Sequence, residues 1–221
     1  MSGITTFPSA LPELNDLLLG TKIREEGNIT RNFRIGEVLA LLGDTGLTPA
    51  SVNYGLFSQT EDSLNITNTT TARNLYRGGE GSLTIAANTL LIGDSFNIKA
   101  SGPISCLNAT VLTITITTLS GVILGSTAIT MQAATSKSWS LNANLTIRSI
   151  GGAGGAEIVG AGEFAYSING SNNLQTLPIS IFNNLTFDTT VPNTIVVNAQ
   201  WTTASASNSI YSSLFNFTKT Y

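Results

Sequence analysis

An all-β fold is predicted for most of this 221-residue chain, and three observations predict it. Only 10% of the residues are charged, while 42% are hydrophobic, so there is material for a real core and little for a charged, helical surface. Several stretches alternate apolar and polar residues strictly, which is the period of a strand with one face buried. Glycine- and asparagine-rich turn signals separate those stretches, and no helical period runs among them.

The first element is a hairpin. Leu17-Leu18-Leu19 and the stretch from Thr30 to Ile35 read as two strands, joined by a charged turn over 21–28. Residues 35–42 then predict a two-turn helix, stopped by Gly43. Ile35, Val38, Leu39 and Leu42 fall at i, i+3, i+4 and i+7, one apolar stripe. A helix this short is marginal alone and must pack on something. Those four residues are therefore the candidate anchoring residues of a small N-terminal module over 1–44. Charge supports the division: residues 1–44 are densely charged, whereas from Ser101 onward only Lys137, Arg148, Glu157, Glu163, Asp188 and Lys219 occur.

Residues 45–82 read as a linker or short stalk. Thr45–Pro49 is loop-like, 65–71 is a polar run, and Tyr76–Gly81 is a flexible turn. Tyr54, Leu56 and Phe57 are apolar enough to dock on a neighbouring element.

From Leu83 the chain reads as nearly pure β. The alternation is clearest in Leu112–Ile116, Trp139–Ile147 and Ile195–Trp201. Further strands are expected at Thr84–Ala86, Ser95–Ala100, Ala128–Met131, Ile158–Ile168, Leu185–Asp188 and Tyr211–Thr218. About nine strands in a stretch of this length suit a jelly-roll-type β-sandwich over 83–221 better than an up-and-down barrel. Trp139 and Trp201 sit at inward-phase positions and are expected in the core. Cys106 lies in a strand and, as the only cysteine, rules out an internal disulfide; a buried thiol is its expected state.

The chemistry of the residue set argues against an enzyme. The chain has no histidine, which removes the commonest general base and the commonest transition-metal ligand together. Paired carboxylates for glycoside hydrolysis remain conceivable, so the β region's Asp94, Glu157, Glu163 and Asp188 need weighing. Asp94 and Asp188 sit at turns, where an aspartate ordinarily bonds its own backbone. Glu157 and Glu163 are six apart on one expected strand, hence roughly 20 Å apart, too far for either glycosidase geometry. Gly151–Gly155 lacks the Lys-Ser/Thr ending of a phosphate loop and reads as a hairpin connection. There is no Asp-x-Asp-x-Asp run for calcium, and no cofactor is expected.

Net charge is −3 with no basic run, so phosphate-driven nucleic-acid binding is not expected. The N-terminal residues show no signal-peptide pattern, and no run approaches the roughly 18 apolar residues of a membrane helix, so membrane insertion is not expected. The eight Asn-x-Ser/Thr sequons, at Asn28, Asn65, Asn68, Asn108, Asn144, Asn169, Asn184 and Asn216, read as by-products of a Thr/Asn-rich β chain.

A resemblance covers about three-quarters of the chain. It rests on 92–96 (IGDSF), 145–151 (LTIRSIG), 187–190 (FDTT), 193–201 (NTIVVNAQW), 204–210 (ASASNSI) and 219–221 (KTY), with 53–60 (NYGLFSQT) upstream. In order and spacing, residues 83–221 resemble the jelly-roll domain at the C-terminus of many tailed-phage and metagenomic-virus fibre proteins. Residues 14–19 (LNDLLL) and 33–41 (FRIGEVLAL) are similar to a short module at the start of phage tail-fibre proteins. The resemblance implies a place on the virion surface, a homotrimer and no cofactor. It implies attachment through the N-terminus to a capsid, vertex or tail protein. It carries over no catalytic residue and no fixed receptor-contact motif. The short 45–82 segment departs from fibres with long shafts and favours a stubby spike or capsid decoration.

Two functions share this architecture. One is a host-attachment head recognising a surface glycan or protein, with the loops at Gly152, Gly154, Asn169, Ser171 and Asn172 as candidate receptor-facing positions. The other is a capsid decoration or vertex protein with a purely structural role. A glycan-degrading spike enzyme is the disfavoured third.

Overall fold

The computed structural model describes residues 17–22, 29–34, 54–170, 173–181 and 186–221. The chain divides into two units, Met1–Ala50 and Ser51–Tyr221. In the first, β1 (Leu17–Lys22) and β2 (Ile29–Arg34) pair antiparallel, from Leu17↔Arg34 to Lys22↔Ile29. The expected helix over 35–42, with Ile35, Val38, Leu39 and Leu42, lies outside the described residues.

The second unit is all-β among its described residues. Its strands are β3 (Tyr54–Gln59), β4 (Ile66–Thr67), β5 (Arg73–Asn74), β6 (Gly79–Gly81), β7 (Thr84–Ile85), β8 (Ser95–Cys106) and β9 (Val111–Thr118). They continue with β10 (Ile123–Thr130), β11 (Ala134–Ser149), β12 (Glu157–Ser167), β13 (Leu174–Ile181), β14 (Asn193–Trp201), β15 (Ser209–Ile210) and β16 (Leu214–Lys219). They form one curled antiparallel sheet in the order β5-β14-β9-β10-β13-β12-β11-β8-β16-β3-β6, with β7 on β14 and β15 between β4 and β8. β10 and β13 meet at a single pair, Ser126↔Ser180, and there the sheet bends over on itself into a half-barrel.

The period of two explains which face turns inward. Along β11, Trp139, Leu141, Ala143, Leu145 and Ile147 are buried while Ser140, Asn142 and Asn144 are exposed. Along β9, Leu112, Ile114 and Ile116 are fully enclosed. These side chains join Ile195, Val197, Ala199 and Trp201 of β14 and Phe96, Ile98 and Phe217 in one continuous core. Aromatic rings fill its thickest part. Trp139 stacks on Phe164 with ring centres 5.7 Å apart, one diagonal away from its register partner Tyr166.

Five sequence expectations change. The linker expected over 45–82 contributes to the sheet from Tyr54 onward, because β3 pairs with β16 and Phe57 packs edge-on against Phe215 at 6.1 Å. The boundary between the units accordingly falls between Ala50 and Ser51. The strand at Ser95 continues through Gly102 and Pro103 to Cys106. Gly102 is required there: a Cβ would sit 2.2 Å from the Tyr211 carbonyl oxygen, where the chain crosses closely over the strand. β13 is a strand the sequence reading lacks, since Pro178 interrupts its pattern. Its tolerance of proline fits a strand paired along its length only with β12. Finally, no strand occupies Phe187–Asp188, which precede a turn at 189–190, and the expected strand at Tyr211 begins only at Leu214.

Candidate functional site

The long strands give the second unit two ends. At one end Tyr54, its first described residue, pairs with Lys219, which also pairs with Phe96, while Ser95 pairs with Thr146. Chain entry and chain exit therefore share this end. At the other end Cys106 pairs with Ala134.

The candidate receptor-facing loops divide between these ends. Gly152 and Gly154 are exposed in the β11–β12 connection, at the entry end. That connection is stitched to the turn before β14: the Gly151 N–H donates to Thr189 Oγ1 at 2.9 Å, and the Thr189 N–H donates to the Gly151 carbonyl at 2.9 Å. Asn169 is exposed at the far end, where its carboxamide is engaged by Thr135. The Thr135 N–H donates to Asn169 Oδ1 at 3.0 Å and Asn169 Nδ2 lies 3.1 Å from Thr135 Oγ1. β12 has 11 residues between the two loops, roughly 33 Å of strand. They are thus two separate surfaces. Ser171 and Asn172 lie outside the described residues.

Three of the four carboxylates weighed for catalysis make hydrogen bonds or ion pairs with neighbouring residues. Asp94 is buried; its Oδ2 accepts the Leu91 N–H at 3.0 Å and its Oδ1 pairs with Lys219 Nζ at 2.7 Å. Asp188 Oδ1 accepts the Thr190 N–H at 2.7 Å and the Thr190 hydroxyl at 2.6 Å. Those two bonds hold its carboxyl below the usual aspartate value, with a smaller pull from the Ala153 backbone and burial acting the other way. Glu157 lies 3.9 Å from Arg148, and Glu163 is exposed six residues along the same strand. Cys106 is buried with its thiol 3.2 Å from the Gln132 carbonyl, and burial raises its pKa.

A cleft of about 640 Å³, missed by the sequence reading, opens on the flank formed by β4 and β5. It is lined by Leu64, Asn65, Ile66, Thr67, Thr69, Ala72, Arg73, Asn74, Tyr76 and Arg77. It lies toward the far end, since β4 pairs with β15, and β15 pairs with β8 one residue short of Cys106.

Its strands, β4 and β5, have two residues each and cannot form alone, so distant residues fix them. Trp201 Nε1–H donates to the Ile66 carbonyl at 3.0 Å and Gln200 Nε2 to the Thr70 carbonyl at 2.9 Å. The Leu75 N–H donates to the Val197 carbonyl at 2.8 Å, and the Ser212 hydroxyl donates to the Leu75 carbonyl at 2.7 Å. Ile66 and Leu75 are thereby drawn into the core beneath the cleft.

The cleft gathers charge that is scarce elsewhere. Residues 51–221 contain three arginines, Arg73, Arg77 and Arg148, and two of them line it. Arg77 is held by Glu61, Nε to Oε1 at 3.3 Å, whereas exposed Arg73 makes no ion pair among the described residues. Tyr76 is half-buried, its ring tilted against Phe215 at 5.3 Å, and burial raises its hydroxyl pKa. The sequence signal was present in the spacing of Arg73, Tyr76 and Arg77, but nothing local revealed that the segment folds back onto β14.

Compared with protein-family models, curated proteins and solved structures, the chain matches none of them. Function therefore rests on the chain's own residues and geometry.

Proposed function

We propose that this protein is a non-enzymatic virion structural protein, a trimeric fibre or spike subunit displayed on the surface of a phage-like particle and contacting the host. The N-terminal module, with Ile35, Val38, Leu39 and Leu42, joins it to a capsid, vertex or tail protein. The second unit is the head. Its finer architecture is a jelly-roll-type sandwich, with β14, β9 and β10 on one side of the core and β12, β11, β8 and β16 on the other. The single Ser126↔Ser180 pair between β10 and β13 supports this reading, since so slender a link suits two facing sheets better than a closed barrel.

The observation that carries the host-contact role is polarity along the strands. The head is entered at one end, at Tyr54, and presents a cleft bearing two arginines toward the other. A subunit whose cleft lies away from its chain entry is arranged to present that cleft to a second surface. A neutral Thr/Ser/Asn exterior with few charges also suits packing of identical subunits around a three-fold axis.

The test is adsorption competition. Purified full chain is added to host cells before particles, and the unadsorbed particles are counted. A saturable fall in adsorption supports the attachment role; no cell binding and no competition would reassign the chain to capsid decoration. Light scattering returning a monomer mass at micromolar concentration would remove the trimer.

A further inference from the structure

We infer that the cleft bearing Arg73 is a site for a carboxylate-bearing sugar of a surface polysaccharide. This deepens the host-contact reading and rests on it. A guanidinium presents a planar fork of N–H donors that matches a carboxylate bidentately. Arg73 lines an open cleft with no such neighbour among the described residues, while adjacent Arg77 is already matched by Glu61. The net positive charge of the cleft thus resides on Arg73.

The remaining lining matches the rest of a sugar. Asn65, Thr67 and Asn74 supply carboxamides and a hydroxyl for ring hydroxyls. Tyr76 supplies an aromatic ring braced by Phe57 and Phe215, and its hydroxyl bonds to no other described residue. Ring C–H faces pack on such a surface at little entropic cost, because the ring is already immobilised. A cleft of about 640 Å³ suits a short oligosaccharide rather than a lone ion.

Two other cavities among the described residues lack this chemistry. One of about 260 Å³ contains both Asp94 and Lys219, which neutralise each other. Another of about 400 Å³ has Asp188 as its one charged lining residue, which repels an anion. An acidic peptide fits the main cleft less well than a sugar. The strand at its edge, β5, is two residues long and too short to hold an extended peptide by main-chain pairing.

The experiment measures binding of the full chain to 3′-sialyllactose and a galacturonate hexamer, beside lactose, a galactose hexamer and a poly-glutamate peptide. Tighter binding of at least one acidic sugar, by about tenfold over its neutral counterpart, is expected. The R73Q variant should abolish that preference with an unchanged melting temperature, and R73K should restore it only in part, because lysine keeps the charge but not the fork. Failure of both acidic sugars to bind, retention of the preference in R73Q, or preference for poly-glutamate would each overturn the inference. Adsorption competition by the same preparation separates the two levels. Competition without acidic-sugar binding removes the sugar site and leaves host attachment standing; loss of both removes both.

Discussion

Replacing Trp201 with phenylalanine should destabilise the second unit by about 2–5 kcal/mol. Trp201 is fully enclosed and its indole N–H donates to the Ile66 carbonyl at 3.0 Å. Phenylalanine deletes the donor and strands a buried acceptor, which costs about 1–3 kcal/mol. The smaller ring also leaves unfilled space in a core that cannot fully collapse, adding about 1–2 kcal/mol. For a unit spanning Ser51–Tyr221, each kcal/mol lowers the melting temperature by roughly 2–4 °C, so a fall of about 5–15 °C follows. Thermal unfolding by circular dichroism measures it directly. The chain has two tryptophans, so the variant also leaves Trp139 as a single fluorescent reporter of the core. Because the lost bond tethers Ile66, proteolysis within 60–77 should accelerate in the variant below its melting temperature. A shift under about 2 °C, with the 60–77 segment cleaved no faster than in the parent, would refute this account of how distant side chains fix the cleft walls.

Three further outcomes follow. Lys219→Met removes the partner of a buried carboxylate and should cost about 1–3 kcal/mol, a loss partly recovered in the double variant with Asp94→Asn; urea denaturation of the four proteins checks it. Asp188 has a carboxyl pKa lowered by its bonds to Thr190, so its contribution is complete above about pH 4 and fades as pH falls through the lowered value. The melting gap between the parent and Asp188→Ala should therefore narrow between pH 7 and pH 3, and an equal gap at both would contradict the assignment. Cys106 is buried with a raised pKa, so maleimide at neutral pH should modify it on the order of a hundredfold more slowly in the native protein than in urea; equal rates would show an accessible thiol.

The long strands were legible because their signal is local. In β9, β11 and β14 the alternation of side chains alone declares a strand and its buried face, and Trp139 and Trp201 are buried as their phase requires. Cys106, Asp94 and Asp188 likewise follow from strand position and turn chemistry. The cleft was not legible for the opposite reason. β4 and β5 have two residues each, too few to show a period, and their positions come from Trp201, Gln200 and Ser212, over 125 residues away in sequence. β13 was hidden by Pro178, and the strand expected at 185–188 mistook the Asp188 turn for the end of an extended run. Asn169 reads as a loop asparagine available to a ligand, yet its carboxamide is committed to Thr135 across the chain.

The arrangement of β3 carries a mechanical consequence. β3 lies between β16 and β6, and its first residue, Tyr54, is where the chain enters the unit. A unit held at its far end and drawn by Tyr54 is pulled along the strand axes. The ladder bonds joining β3 to both neighbours run perpendicular to that pull, so they resist together in shear instead of opening one after another like a zip. Tension applied at Tyr54 is thereby shared across the whole of β3, and the unit yields only when the entire strand slides.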